Sequence, residues 1–594
     1  MYYTAGNYEA FAHPEIPEGS EKKHAYIIGS GLAGLSAAFY LVRDGGVKGE
    51  NIHILEKLPV SGGSCDGKKD ISKGFYMRGG REMDNHFECM WDMFRDVPSI
   101  ETPGVSVLDE YYWLNKKDPN YSLCRATTDC GKDAHTDKKF GLNKKAAMEL
   151  TALLMTPEKD LEDKKIDEFF TDDFWNSNFW LYWQTMFAFQ RWCSALEMKR
   201  YIARYCHHID GLPDFSALRF TKYNQYDSMI LPLQKYLQKK GVVFDFGVEV
   251  TNVLFDIAPD RKVARELDFT KDGKEEKKEL DENDLVFITN GCCTDVSCYG
   301  DQSHAPDLSG IKPNTGDSWN LWNRIASQDK SFGNPSAFCS NPEDTNWMSA
   351  TIETKDKRII RRIEDICHRN PLEGKVTTGG IITVKDSVDN WYLSWTVNRQ
   401  PQFKSQDKDT VLIWVYALST GKPGNYVKKP MRFCTGEEVS KEWLYHIGFG
   451  KDDIETLSKD ACNTTTCYMP YINAFFQPRK NTDRPLVVPK GAVNFAFIGQ
   501  FAETPRDTIF TTEYSIRTGM ESVYTLLNVD RGVPEVWGSC YDVRELLKAS
   551  YYAIDKKKIS NIKLSHKEKF LLKMVLKKTK GTEVEELLKN SKLI

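Results

Sequence analysis

The chain has 594 residues, of which 28% are charged and 41% hydrophobic, with a net charge of −4. That length exceeds one ordinary core, so two to four lobes are expected, and the slightly acidic balance excludes the basic footprint of a nucleic-acid binder. No apolar run reaches the ~20 residues of a membrane span.

The N-terminus, MYYTAGNYEAFAHPEIPEGS, is polar and lacks the apolar core of a secretory signal. Its Pro14 and Pro17 predict an extended arm over residues 1–21, wrapping a partner subunit or its own chain. The 15 cysteines include no C-x-x-C pair, which predicts reduced thiols, no metal site and a cytoplasmic protein.

Ala25–Ile28 is a short apolar run suited to a buried parallel strand, and Gly29-Ser30-Gly31-Leu32-Ala33-Gly34 follows it with the G-x-G-x-x-G spacing. Gly29 would allow the tight turn, Gly31 a close approach of backbone to a pyrophosphate, and Gly34 the packing of the helix Leu35–Val42. That helix would present free N–H groups to phosphate. A second strand, Asn51–Leu55, ends at Glu56, where an acid takes ribose hydroxyls. Gly62-Gly63 then completes an E-x5-GG spacing that looks like the FAD-dependent amine oxidase and carotenoid desaturase group, which favours FAD over NAD. The expected fold class is therefore α/β, with a Rossmann-like FAD-binding domain, a mixed α+β substrate lobe and a helical C-terminal region.

Gly74–Asp92 joins Gly79-Gly80 to Arg78, Arg81 and Glu82 and runs into an apparent helix with His86, Phe87, Met90 and Trp91. Glycines beside charges suggest backbone near a ligand; the plainer reading is an Arg81–Glu82 ion pair in a turn. The string RGGREMDNHFECMWD, with the opening MYYTAGNYEAFA, resembles the bacterial oleate hydratases, first described as the 67 kDa myosin-cross-reactive antigen family, over essentially the whole chain. That resemblance implies bound FAD, addition of water to a cis double bond of free unsaturated fatty acids such as oleate, and a homodimer.

Under the same resemblance Glu82 activates water and Tyr201 donates the proton, with Arg81 assisting at the flavin. The chemistry is coherent: an unactivated alkene needs a proton at one carbon while a base makes water nucleophilic at the other. Without it, Tyr201 reads as an interior tyrosine bonded to backbone. Gln225, Thr396 and Asn398 match positions that contact the fatty-acid carboxylate, and Asn224 could share that work. Gln402 stands where some relatives carry histidine, which favours neutral hydrogen bonding there. Val250 would lie beneath the adenine, Gly291 and Gly499 would return the sheet to the cofactor, and Phe510 and Thr511 would close over it. His207 and His208 receive no role.

The remaining elements are read from pattern. Lys145–Leu154 and Lys164–Phe170 look helical, and the aromatic stretch Phe174–Trp192 would be apolar all round as a helix, either core or an acyl-tunnel wall. Gly241–Val253 alternates as a strand, Arg265–Asp284 suits an exposed hairpin, and Leu285–Gly291 and Phe495–Ile498 suit buried strands leading back to the cofactor. Lys556–Lys580 holds ten lysines against Glu568, with Phe570, Leu571, Met574 and Val575 on one helical face. This suits an anionic membrane surface and peripheral association with the inner face of the cell membrane; a solvated tail or a partner-docking helix is the alternative. The expected organisation is an arm (1–21), an FAD-binding domain in three parts (22–115, 231–300 and 486–545), a helical cap (116–230), a substrate lobe (301–485) and a basic C-terminal region (546–594). Against hydration stand two other readings, a redox flavoenzyme of the amine oxidase or desaturase type and a non-catalytic fatty-acid-binding protein.

Overall fold

The computed structural model describes every residue except 1, 2, 5–7, 66, 71, 81 and 563. The apolar run near the N-terminus forms strand β1 (His24–Ile28), the centre of a five-stranded parallel sheet. It is flanked by β2 (Ile52–Glu56) and, in chain order, β3 (Val243–Phe246), β4 (Asp284–Thr289) and β5 (Phe495–Ile498) complete the order β5-β4-β1-β2-β3. Ala25, Ile27, Ile52, Ile54 and all of β5 are fully buried, as strands covered on both faces must be. Helix α1 (Leu32–Arg43) makes the crossover from β1 to β2, burying ten consecutive residues from Leu32 to Leu41.

Between β2 and β3 the chain builds the capping region, with α2 (Val107–Lys117), α3 (Asn178–Phe187) and α4 (Ala195–Arg204). The aromatic stretch is not one helix. Asp172–Trp175 and α3 are separated at Ser177, whose hydroxyl accepts the Trp180 N–H as an N-cap, and α3 stops at Ala188 in the left-handed region (φ 57°). Lys164–Phe170 likewise forms only the short turn Ile166–Glu168, too brief a nucleus to propagate. The expected strand Gly241–Val253 divides at Gly247 (φ 74°) into β3 and Val248–Ala258, which pairs with Arg261–Lys271, itself paired with Lys274–Glu279, in a three-stranded antiparallel sheet.

The second lobe is centred on an eight-stranded sheet whose middle strands, Trp347–Thr354, Val411–Ala417 and Cys462–Met469, are antiparallel. All of Val411–Ala417 is buried, so this sheet is also covered on both faces. The short strand Ala126–Thr128 from the capping region joins the same sheet beside Ile382–Val384.

The chain then returns to the first sheet through β5 and α5 (Thr512–Leu526). At Gly519 a Cβ would lie 2.1 Å from Ser36 Oγ of α1, so only glycine lets these helices approach. The N-terminal arm departs from the extended form expected of it: Tyr3–Thr4 pairs in parallel with Val533–Pro534, and Tyr8–Ala12 is helical. Beyond the sheet, α6 (His566–Lys578) is opened by a capping box between Ser565 and Glu568.

Candidate cofactor cradle and active site

The glycine turn sits at the carboxyl end of β1, where doubly wound sheets bind their ligands. Gly29 takes φ 93°, and a Cβ at Gly34 would lie 2.1 Å from the Gly29 carbonyl oxygen, which brings α1 down onto the strand. Gly31 is different in kind. Its φ is −72° and an added Cβ would meet nothing nearer than Gly63 Cα at 3.8 Å, so the protein itself does not require glycine there. The open space beside it, with no side chain capping the start of α1, suits a group that brings its own phosphate oxygens.

The loop with Gly62-Gly63 is fastened to this turn: Gly62 N–H donates to the Ser30 carbonyl at 2.9 Å, and Gly31 and Gly62 form a parallel bridge. The Arg78 guanidinium donates to the Gly63 carbonyl from below. Glu56 ends β2 facing the cradle, where one carboxylate oxygen accepts the Ser30 N–H (2.9 Å) and hydroxyl (2.7 Å). Leu32 and Ala33 open α1, and Gly499 (φ 96°) stands across from Ala33, whose Cβ is 3.9 Å from the position a Gly499 Cβ would take. Gly291 (φ 78°) is packed against Trp319 and Phe501, and Val250 is buried in the adjoining antiparallel sheet. A dinucleotide laid along Gly29–Gly34, Glu56 and Gly62–Gly63 fits these residues.

A cavity of about 70 Å³ lies at the N-terminal end of α5. Glu82, Tyr201, Phe510 and Thr511, far apart in sequence, all line it, as do Tyr205 and His208. Phe510 holds φ 66° and donates its N–H to Gln500, while Thr511 caps α5 by accepting the Tyr514 N–H at 3.0 Å. Tyr201 stands on α4, which is anchored on successive turns by Glu197–Arg479 (2.8 Å), Arg200–Glu503 (2.6 Å) and Arg204–Asp507 (3.0 Å). Its ring is enclosed by Phe187, Phe189 and Phe476, and its hydroxyl donates to the Ile509 carbonyl. Burial, reinforced by Tyr205 and Glu197, pushes the Tyr201 phenol well above its ordinary pKa. Glu82 folds back so that its carboxylate oxygen would be 3.0 Å from a Cβ at Gly80. Arg81 lies outside the described residues.

Sequence reasoning left His207 and His208 without a role, yet both turn to Asp84 in the wall of this cavity, with Nε2 atoms 3.1 and 2.9 Å from its two oxygens. The signal was the adjacent His207-His208 pair, but nothing in it pointed to a partner over a hundred residues away. Burial alone would raise the Asp84 carboxyl; hydrogen bonds from the two imidazoles hold it well below the usual range. Burial lowers His207 to about 4 against the opposing hydrogen bond to Asp84. Its Nδ1 meets Ser539 Oγ at 3.1 Å, so both ring nitrogens are satisfied in the neutral form. Among the described residues these three form the one grouping whose donor atoms are spaced as metal ligands are.

A second cavity gathers Gln225, Asn398 and Gln402 together with Asn120, Tyr223 and Arg399. Leu218 lines the first cavity and Phe220 the second, so one short stretch, tied to the Glu82 segment by the Met83–Arg219 backbone pair, separates them. Thr396, expected here, is not among the residues that line this cavity; it is buried and shares a hydroxyl–hydroxyl hydrogen bond of 2.8 Å with Thr378. Asn224 is spent on structure: its amide donates to Asp227 (2.8 Å) and to the Gln402 carbonyl (3.1 Å).

Sheet order and glycine cradle define an α/β fold built on a five-stranded parallel sheet, joined to a second, eight-stranded sheet. A family model described as the MCRA family matches residues 22–524, and the chain belongs to that family. It is 50% identical over 597 residues to the oleate hydratase of Streptococcus pyogenes serotype M49 (strain NZ131), covering 100% of both chains. It is 30% identical to the linoleate hydratase of Lactiplantibacillus plantarum, covering 86% of this chain and 94% of that one. Among solved structures, cyclohexylamine oxidase from Brevibacterium oxydans IH-35A superposes with a TM-score of 0.48 at 12% identity, over 85% of this chain and 99% of that one. A fatty acid isomerase from P. acnes that produces CLA superposes at 0.44 and 11% identity, over 85% and 99%.

Proposed function

We propose that this chain is an FAD-bound hydratase of free unsaturated fatty acids that converts oleate and water to 10-hydroxystearate. The observation that carries this reading is the meeting of Glu82 and Tyr201 in one largely apolar cavity beside the cap of α5. FAD would be held by Gly29–Gly34, Glu56, Gly62–Gly63, Gly499 and the Phe510-Thr511 turn, and would complete the cavity wall and its electrostatics with no net use of electrons. The carboxylate end of the substrate would rest against Gln225, Asn398 and Gln402, with Thr396 behind them.

Glu82 accepts a proton from water as the water oxygen bonds to one olefinic carbon, and the Tyr201 O–H delivers its proton to the other. The raised pKa of Tyr201 keeps the phenol protonated until an acceptor arrives, and excluding water strengthens the effect of Glu82 on a developing carbocation. Transfer of the proton from Glu82 back to the phenolate closes the cycle, so water is consumed and nothing is oxidised. Arg81 is assigned to the flavin side of the same step. We further assign the protein to a homodimer that docks peripherally on the inner face of the cell membrane through α6, from which free fatty acid would be drawn.

Incubating the FAD-loaded protein with oleate in 18O-labelled water tests this directly. The wild type is expected to yield a product carrying one 18O, and Glu82→Ala and Tyr201→Phe are each expected to lower turnover at least ~100-fold with flavin retained. Unlabelled oleate from the wild type, or desaturation with flavin reduction, would sink the reading.

A further inference from the structure

The second cavity contains one ionic side chain among its described lining residues, Arg399, and it is a residue to which no role in binding has been given. Four of its other lining residues, Asn120, Gln225, Asn398 and Gln402, carry amides. Neutral amides accept a carboxylate or a carboxamide on similar terms, because a neutral hydrogen bond adds little net in either case. Selection for the free acid needs a charge.

Arg399 is positioned to supply it. Its Nε donates to Asp118 Oδ2 at 2.7 Å and its Nη2 to the Asp118 carbonyl at 2.5 Å, which pins one edge of the guanidinium to the end of α2. Its Nη1 makes no hydrogen bond with any described residue, and the residue lines the cavity. The two charges of the pair also differ in exposure: the Arg399 side chain is 5% exposed, whereas Asp118 is 26% exposed. Water therefore screens the anion more than the cation, which leaves the charge of the guanidinium incompletely cancelled. The fixed fork leaves the Nη1 edge presented for a charge-assisted hydrogen bond to an anionic oxygen.

We infer that Arg399, oriented by Asp118, is the residue by which this protein selects a carboxylate head group over a neutral one at the far end of its acyl-chain site. The inference rests on the fatty-acid reading above, but its test does not depend on turnover. Binding of radiolabelled oleate and of oleamide, which has the same chain and an uncharged head, is measured by equilibrium dialysis against the FAD-loaded protein.

Wild type is expected to bind oleate at least about tenfold more tightly than oleamide. Arg399→Gln is expected to remove that preference by weakening oleate alone, and Arg399→Lys to restore part of it. A folded, flavin-loaded Arg399→Gln that keeps the wild-type preference overturns the inference, as does a wild type that binds both ligands equally. Should Arg399→Gln fail to fold, Asp118→Asn removes the countercharge and leaves the guanidinium in place. It is then expected to tighten oleate about threefold or more without changing oleamide, and an unchanged oleate affinity overturns the inference. If wild type binds oleate selectively and yet forms no hydroxy acid, the hydration reading falls while the role of Arg399 stands.

Discussion

At the scale of single residues, the histidine most altered by the fold is His207. Its imidazole is 5% exposed, sits between Asp84 and Ser539, and is held neutral with its pKa lowered to about 4. The folded value lies below the unfolded one of about 6.5, so between pH 6.5 and 4 the unfolded chain binds the extra proton and stability falls as pH falls. At ~1.4 kcal/mol per unit the loss reaches at most about 3 kcal/mol by pH 4. Wild type is therefore expected to lose thermal midpoint between pH 7 and 4.5 more steeply than His207→Asn, which keeps a hydrogen-bonding side chain without the titration. Parallel loss in the two proteins would remove His207 from the account. The same wall includes Asp84 and His208 beside Glu82, so acid that charges His207 is expected to disturb the reaction cavity before the rest of the fold yields.

At the scale of elements, the β1–α1 turn separates glycines that the fold requires from one that it does not. Gly34→Ala would force a Cβ to 2.1 Å from the Gly29 carbonyl, against fixed backbone. Overpacking of this kind costs about 1–3 kcal/mol, so the variant is expected to melt several degrees lower and lose flavin with the fold. Gly31→Ala meets nothing closer than 3.8 Å and needs no unusual φ, so its apo-protein melting temperature is expected to stay within a degree of wild type while flavin content falls. Measuring both variants with and without added FAD decides the matter; equal flavin content in Gly31→Ala and wild type would place the pyrophosphate elsewhere. This contrast also explains what could be read in the sequence. The cradle is local: strand, turn, helix and Glu56 fall within some thirty residues, and each obeys a short-range rule. The second cavity is assembled from Asn120, Gln225 and the 376–402 segment, and no local pattern unites them. Arg399 carries no sequence signal of its own, because its free guanidinium edge exists only once Asp118, at the end of a helix 281 residues earlier, has taken the other. The aromatic stretch was misread for a similar reason: composition favoured continuity, and a single serine cap broke it.

For the molecule as a whole, the fold brings a closed apolar site and a basic, partly apolar helix into one chain. Among the described residues no helix is long and apolar enough to cross a membrane. In α6, Leu572 and Leu576 are half-buried against the body, while Phe570, Leu571, Met574 and Val575 are 43–64% exposed on the other face. The capping-region residue Lys144 pairs with Glu568 at 2.6 Å, engaging the one acidic side chain of α6 and leaving the lysines of the helix in excess. A helix so held would lay its exposed face on a bilayer, with each lysine near an anionic surface contributing ~1 kcal/mol and each buried large side chain about 1.5–3 kcal/mol. The full-length protein is therefore expected to sediment with vesicles containing phosphatidylglycerol and to remain in solution with phosphatidylcholine alone. Raising the salt to about 0.5 M should release most of it, since the electrostatic part is screened within a few ångströms. Phe570→Ser with Leu571→Ser should weaken binding at least about tenfold at low salt while leaving hydration of micellar or dispersed substrate intact. Binding that ignores both lipid charge and salt would mean that the lysines are solvated surface, and retention of full binding by the double variant would move the docking face off α6.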